Sequence, residues 1–306
     1  MKTQNKINNV TIFTKLGKFN AWIDIKGNDK QLQILLIPGG PGCTHEIFQN
    51  FQDNIDLQEI QLIFYDPLGS KFSEHLEGEK YESLWEMDRF VEEIEQIRQF
   101  LKLKSDKFVL LGHSWGGMLA LQYSLSYQNK LKALILSNTT FSVDKQNQYQ
   151  EKILGPKMGK YKFDQIQQCE EKQDYQNKEY KDILFEEFTK KYICKMDIDK
   201  WPDPVNNSVE YQNYYMIHKM NGKSQFYING NLQSWDYIDQ VGQIKIPTLV
   251  IASQYDFMDN ETTRQAIKQY SNYEYHLCKK GAHLCMWDDT VEFFQGLNTF
   301  LKKIVQ

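Results

Sequence analysis

The sequence predicts an α/β protein: a mostly parallel β-sheet flanked by helices, with a helical cap inserted late in the chain. Three observations carry the prediction. Short β-rich runs alternate with amphipathic stretches over 32–136, the rhythm of parallel strands joined by crossover helices. Over 142–234 that rhythm is lost, and Lys, Gln, Glu, Asn and Tyr dominate. After Pro247 the strand rhythm returns. A core of 1–141 with 235–306, interrupted by a cap of 142–234, accounts for both the change of texture and the length of 306 residues. The sequence has no internal repeat and no linker long enough to separate independent domains.

Taken in order, 10–16 and 19–25 read as a hairpin turning at Gly17, and 32–37 and 62–65 as buried strands stopped by Gly or Pro. Ser83 with Glu86 forms a capping box, after which Leu84, Met87, Phe90, Val91, Ile94, Ile97 and Leu101 recur at helical spacing and predict about five turns. A strand over 108–111, a helix over 115–127 and a strand over 131–136 follow. Pro202 and Pro204 break the inserted region. Beyond it come a strand over 248–252, a helix near 262–270, a strand over 273–278 and a closing helix over 289–304.

Composition excludes several classes of function. Lys and Arg number 36 against 40 Asp and Glu, a net charge of −4 that gives little attraction for nucleic acid. Hydrophobic residues at 41% are enough for a large core, yet no apolar run approaches the ~18–20 residues of a membrane span. Residues 1–10 carry no segment of signal-peptide length and no Arg-rich transit pattern, which points to the cytoplasm. Cys43, Cys169, Cys194, Cys278 and Cys285 are odd in number and never form a C-x-x-C pair, so reduced thiols are expected in place of a disulfide framework or a zinc site. No metal and no cofactor are expected. The Asn-x-Thr triplet at Asn138 reads as chance in an Asn-rich chain.

Gly112-His113-Ser114-Trp115-Gly116 matches the G-x-S-x-G nucleophile elbow and lies directly between a predicted strand and a predicted helix. The small flanking residues matter because the serine sits in a strained turn crowded by its neighbours. A hydroxyl needs a base, and the base needs an orienting group. His283 follows the last predicted strand, at the edge of the sheet where the serine would lie, and is the expected base. His113 is adjacent to the serine and cannot easily fold back, while His45, His75, His218 and His276 fall elsewhere. Asp256, after the strand at 248–252, is the expected acid, with Asp236, Asp239 and Asp259 as rivals in less suitable places. The chain order Ser114, Asp256, His283 is that of α/β-hydrolases. The backbone N–H groups of Trp115 and of Gly40, in Pro38-Gly39-Gly40-Pro41-Gly42, are the expected oxyanion donors, each worth ~3–4 kcal/mol in the transition state.

With these residues in view the chain resembles the prolyl aminopeptidases (proline iminopeptidases), most strongly their tricorn-interacting aminopeptidase subgroup. The segment 38–42 resembles the family's H-G-G-P-G loop, Tyr65-Asp66-Pro67-Leu68-Gly69 its Y-D-Q-x-G, and 112–117 its elbow. Trp201-Pro202, Met220-Asn221-Gly222, Ser234-Trp235-Asp236 and the run from Gly281 to Trp287 also look like family segments. The resemblance implies a helical cap over a Ser-His-Asp site that removes amino-terminal residues, often proline, from short peptides. It also implies three departures. Pro38 stands where the family loop begins with His. Gln225 and Phe257 stand where the family places the two glutamates that hold the substrate's amine. Those two positions are therefore candidate substrate-binding residues suited to a neutral ester or amide, unless Glu210 or Asp259 compensates.

The expected function is a metal-independent serine hydrolase resembling proline iminopeptidase, acting on a small peptide, amide or ester through an acyl-enzyme. Two alternatives stand beside it: an esterase or amidase for neutral substrates, and a catalytically silent protein using the fold for binding. An epoxide or haloalkane hydrolase is disfavoured because those use aspartate at the elbow. Tyr211, Tyr214, Tyr215 and Tyr227 are expected either to line an aromatic pocket or to pack within the cap. The charged stretch 167–191 is expected to be a solvated helical face.

Overall fold

The computed structural model describes residues 9–210 and 212–305, which leaves residues 1–8, Tyr211 and Gln306 outside the description. Among the described residues, eight strands form one sheet: β1 (Asn9–Thr14), β2 (Gly17–Gly27), β3 (Leu32–Ile37), β4 (Ile60–Asp66), β5 (Phe108–His113), β6 (Ala133–Ser137), β7 (Thr248–Ser253) and β8 (Tyr273–Cys278). Their order is β1-β2-β4-β3-β5-β6-β7-β8. The β1-β2 and β2-β4 pairs are antiparallel; every later pair is parallel.

The central strands read as unbroken apolar runs because both faces of a parallel sheet are covered. Alternation along them distributes side chains to two layers. On β3, Leu35 and Ile37 join the core under the helix Met87–Phe100, and Ile34 and Leu36 join the core under the helix Thr290–Val305. The first helix contributes Phe90, Val91, Ile94 and Ile97 to its layer, and the second Phe293, Leu297, Phe300 and Ile304 to the other. These spacings are the 3.6-residue period made physical.

Several boundaries differ from the sequence expectation. The first hairpin turns at Lys15-Leu16, and Gly17 already pairs with Thr14. The capping box does not form. Ser83 lies in a 3₁₀ turn, Glu79–Leu84, and the helix begins at Met87 after an extended Glu86 whose side chain makes no cap bond. Buried Trp85, at φ −90° and ψ 63°, separates the two and fixes the break by its packing. The helix Trp115–Tyr127 starts and ends where the pattern places it.

Between β6 and β7 the chain is helical, including Lys160–Lys172, Lys178–Leu184, Asp203–Glu210 and Tyr214–Met220. Two stretches, Gln150–Leu154 and Phe185–Ile193, are π-helical. This segment has its own small core around Phe163, Ile166, Tyr180, Phe188 and Phe226. Among the described residues, no helix is long and apolar enough to cross a membrane. All five cysteines are free and buried.

Candidate active site

Ser114 stands between β5 and the helix Trp115–Tyr127 at φ 57° and ψ −123°, a left-handed conformation unusual for a residue with a side chain. The turn survives because its neighbours are small. A Cβ on Gly112 would lie 2.0 Å from the Gly116 carbonyl oxygen, and one on Gly116 would lie 2.3 Å from that of Ile37. The strained peptide is held by the Ser114 N–H, which donates to the Ser137 carbonyl at 2.9 Å, and by the Thr139 hydroxyl, which donates to the Ser114 carbonyl at 2.7 Å.

His283 and Asp256 come from the loops after β8 and β7. The imidazole Nδ1 lies 2.8 Å from Asp256 Oδ1, and both side chains are buried. The same Oδ1 accepts the Met258 N–H at 3.1 Å. Its partner Oδ2 is buried without a hydrogen bond among the described residues. A carboxylate at Nδ1 fixes the tautomer that leaves Nε2 free to take a proton. Ser114 and His283 line one cavity of about 290 Å³, together with Gly39, Gly40 and Phe257.

The remaining histidines occupy other settings. His113 is buried with its ring centroid 4.7 Å from that of His283, and burial, reinforced by any charge on His283, holds its pKa well below the usual range. It stays neutral beside the site. His45 forms a second histidine–aspartate pair with Asp66 at 2.8 Å, but stacks on Trp22 at 4.1 Å. Its backbone N–H also donates to Asp66, at 2.7 Å, so the pair ties down the chain that follows the Gly39–Gly42 loop. His75 meets Glu77, exposed His218 meets Tyr214, and His276 meets the Glu292 carbonyl. The rival acids are likewise engaged or exposed: Asp236 accepts from Ser142, Asp259 caps the helix Asn260–Ile267, and Asp239 lies on the surface.

The glycine loop closes over the serine. A Cβ on Gly39 would lie 3.0 Å from Ser114 Cβ, so only a glycine lets the loop approach this closely. Gly40 has φ 113° and adjoins a cis Gly40-Pro41 peptide. Its carbonyl accepts from Asn221 Nδ2 at 3.2 Å, and the Thr44 N–H donates to Ser208 Oγ at 3.1 Å, both partners coming from the helical segment. Pro38 is buried at the root of this loop.

The two candidate substrate-binding residues part company. Phe257 lines the cavity, its ring 4.4 Å from the His283 ring and 5.1 Å from Phe188. Gln225 does not reach it. Its side chain is exposed, and its N–H donates to the Tyr180 hydroxyl at 3.2 Å. Glu210 is exposed at the end of its helix. Among the described residues, no cavity-lining side chain is acidic; Ile47, Ile193, Trp201, Val209 and Leu284 make the wall mainly apolar, with Gln212, Thr189 and Cys43 as neutral polar groups. Tyr214 and Tyr215 are exposed and off the lining, while Tyr227 packs edge-on to Phe226 and donates to Glu151.

One organising residue escapes sequence reasoning altogether. Asn138, fully buried at φ 45°, donates from Nδ2 to the carbonyls of Ala282 at 3.1 Å and His283 at 2.6 Å, and pairs with Ser253. It holds the His283 loop from below, and its burial removes any role as a glycan acceptor. Nothing periodic marks it; an Asn directly after a buried strand is the only local signal.

Residues 33–290 match the family model for the alpha/beta hydrolase fold. The chain is 35% identical to the proline iminopeptidase of Flavobacterium johnsoniae, over 96% of this chain and 98% of that one, and 34% identical to that of Elizabethkingia meningoseptica over the same shares. Its identity to the proline iminopeptidase of Thermoplasma volcanium is 30%, over 91% of each chain. Among solved structures, the proline iminopeptidase of Mycobacterium smegmatis superposes with a TM-score of 0.84 at 22% identity, covering 97% of this chain and 98% of that one. An esterase from Thermogutta terrifontis gives a TM-score of 0.67 at 17% identity, covering 97% and 99%. At these identities the two structures speak for the fold alone.

Proposed function

We propose, from the premise that the chain belongs to the proline iminopeptidase family of the α/β-hydrolase fold, that it hydrolyses small peptides, amides or esters through an acyl-enzyme on Ser114. The observation that carries this reading is the 2.8 Å contact between His283 Nδ1 and Asp256 Oδ1, at a cavity that also holds the strained Ser114.

In this mechanism Ser114 Oγ attacks the substrate carbonyl carbon while His283 Nε2 takes its proton. Asp256 accepts the Nδ1–H and stabilises the imidazolium. The N–H groups of Trp115 and Gly40 receive the developing oxyanion, where each donor is worth ~3–4 kcal/mol. His283 returns the proton to the departing amine or alcohol. It then activates a water that releases the acid and restores Ser114. No step needs a metal or a cofactor. The division of labour follows the chain: 1–141 with 235–306 supplies the triad and the oxyanion donors, and 142–234 serves as the cap. The five reduced thiols fit a cytoplasmic protein.

A second reading concerns the substrate. A cavity whose described lining contains no carboxylate, with Gln225 turned to solvent, offers no counter-charge to a protonated amine. Burying such an amine unpaired is costly, so acyl groups without a free amino terminus are favoured. The test is covalent labelling by a fluorophosphonate followed by a substrate panel. Wild type is expected to label and Ser114→Ala is not. Short p-nitrophenyl esters are expected to turn over faster than proline p-nitroanilide. A well-folded wild type that never labels would overturn the Ser114 mechanism; a strong preference for the proline amide would overturn only the neutral-substrate reading.

A further inference from the structure

We propose that Asp288 is a positioning residue whose carboxylate staples the helical insertion to the loop carrying His283, an inference that rests on His283 being the base of the proposed reaction. Asp288 ends the short helix Cys285–Asp288. Its Oδ2 accepts the Lys195 N–H from the insertion at 2.8 Å. From the other side the Ala282 N–H donates to Oδ1 at 3.1 Å and to Oδ2 at 3.2 Å. One carboxylate therefore takes donors from both sides of the seam.

The seam itself passes through the site. The His283 N–H donates to the Tyr192 carbonyl at 2.9 Å, and the Leu284 N–H to the Ile193 carbonyl at 2.8 Å. The insertion can make these bonds because it leaves its π-helix and runs extended at Cys194, with φ −151° and ψ 126°. Thr189 and Ile193, on the approach to this strand-like stretch, line the cavity. The backbone that fixes His283 and the wall that meets substrate are thus one unit, closed at its end by Asp288.

The chemistry favours a carboxylate. Oδ2 accepts from both N–H groups and Oδ1 shares the Ala282 N–H, whereas an amide with its oxygen in the Oδ2 place would turn its N–H₂ toward the Ala282 donor. Gly281 makes room for the contact, since a Cβ there would lie 3.2 Å from Asp288 Oδ1. The charge sits badly for stability, because it is largely buried and lies next to Asp289. Burial accordingly pushes the Asp288 pKa up to about 6. A group kept ionised against that cost fits a role in aligning the site better than one in holding the fold.

The experiment compares Asp288→Asn, Asp288→Glu and Ser114→Ala in the full chain, by hydrogen–deuterium exchange at pH 7.5 and by hydrolysis of p-nitrophenyl acetate. D288N is expected to keep a melting temperature equal to or above wild type, while amides in 190–197 and 279–290 exchange about tenfold faster. Its kcat is expected to fall on the order of 10- to 100-fold, with KM changing much less, as for a base displaced by a fraction of an ångström. D288E, which restores both acceptors on a longer arm, recovers part of the protection and of kcat. Wild-type exchange in both segments of D288N, or a kcat loss explained by a lowered melting temperature, overturns the proposal. Retention of wild-type turnover by S114A would instead remove the nucleophile assignment, and the exchange comparison would still decide the staple.

Discussion

His283 Nδ1 lies 2.8 Å from Asp256 Oδ1, and that same oxygen accepts the Met258 N–H at 3.1 Å, while Oδ2 is buried without a partner among the described residues. An amide at this position would keep its carbonyl toward Met258 and His283 and put its N–H₂ in the unpartnered place. The tautomer would survive and the negative charge would not. Asp256→Asn is therefore expected to lower kcat on the order of 10²- to 10⁴-fold, with little loss of stability because a buried charge is removed. Turnover of p-nitrophenyl acetate and thermal unfolding measure both. Unchanged kcat would show that the imidazole works without Asp256.

Ser114 holds φ at 57°, and backbone strain of this kind costs about 1–3 kcal/mol. Glycine adopts such angles freely. Ser114→Gly should thus abolish fluorophosphonate labelling and raise the unfolding free energy by about 1–2 kcal/mol, whereas Ser114→Ala abolishes labelling with a smaller gain. Urea unfolding of the three proteins checks this. A glycine variant less stable than the alanine one would mean that the turn stores no strain.

The parts of this site that the sequence makes legible are those fixed by local sterics. The elbow is visible because Gly112 and Gly116 have no space for a Cβ, and the central strands because parallel strands bury both faces. His283 and Asp256 can be found because strand ends set their positions. What fails to show has a non-local cause. The Ser83 capping box yields to the packing of Trp85, and the π-helical stretches of the insertion depart from the 3.6-residue period that a pattern search assumes. Gln225 is a candidate by resemblance, but the direction of its side chain depends on the fold of the whole insertion. Asn138 and Asp288 act through carbonyls and N–H groups of distant backbone, and backbone carries no sequence signal.

Asp288 also sets a pH dependence whose sign is fixed. Burial first, and Asp289 further, raise its pKa from the ordinary 3.8 to about 6, against the N–H groups of Lys195 and Ala282; Lys195, Asp289 and the thiols of Cys194 and Cys285 are the titratable groups coupled to it. The folded state binds this proton more tightly than the unfolded chain. The group's contribution to stability is therefore greatest at low pH and is lost as pH rises through about 6, at roughly 1.4 kcal/mol per pKa unit. D288N should exceed wild type in stability at pH 7.5, and the gap should shrink toward pH 5. Urea unfolding of both proteins at the two pH values tests this, with the other titrating groups cancelling in the difference. An identical gap at both would show that Asp288 titrates as an ordinary surface carboxylate.

Phe257 is the position at which substrate choice can be moved. Its ring lies 4.4 Å from His283 and faces a cavity without an acidic side chain among the described residues. A carboxylate placed there would sit about 4 Å from a bound ammonium, an attraction of about 4 kcal/mol at an effective dielectric near 20, before desolvation. Phe257→Glu is accordingly expected to raise kcat/KM for proline p-nitroanilide, relative to a neutral ester, on the order of 10- to 1,000-fold. Steady-state kinetics on both substrates measure this ratio. An unchanged ratio in a folded variant that still turns over the ester would mean that the bound acyl group does not lie against Phe257.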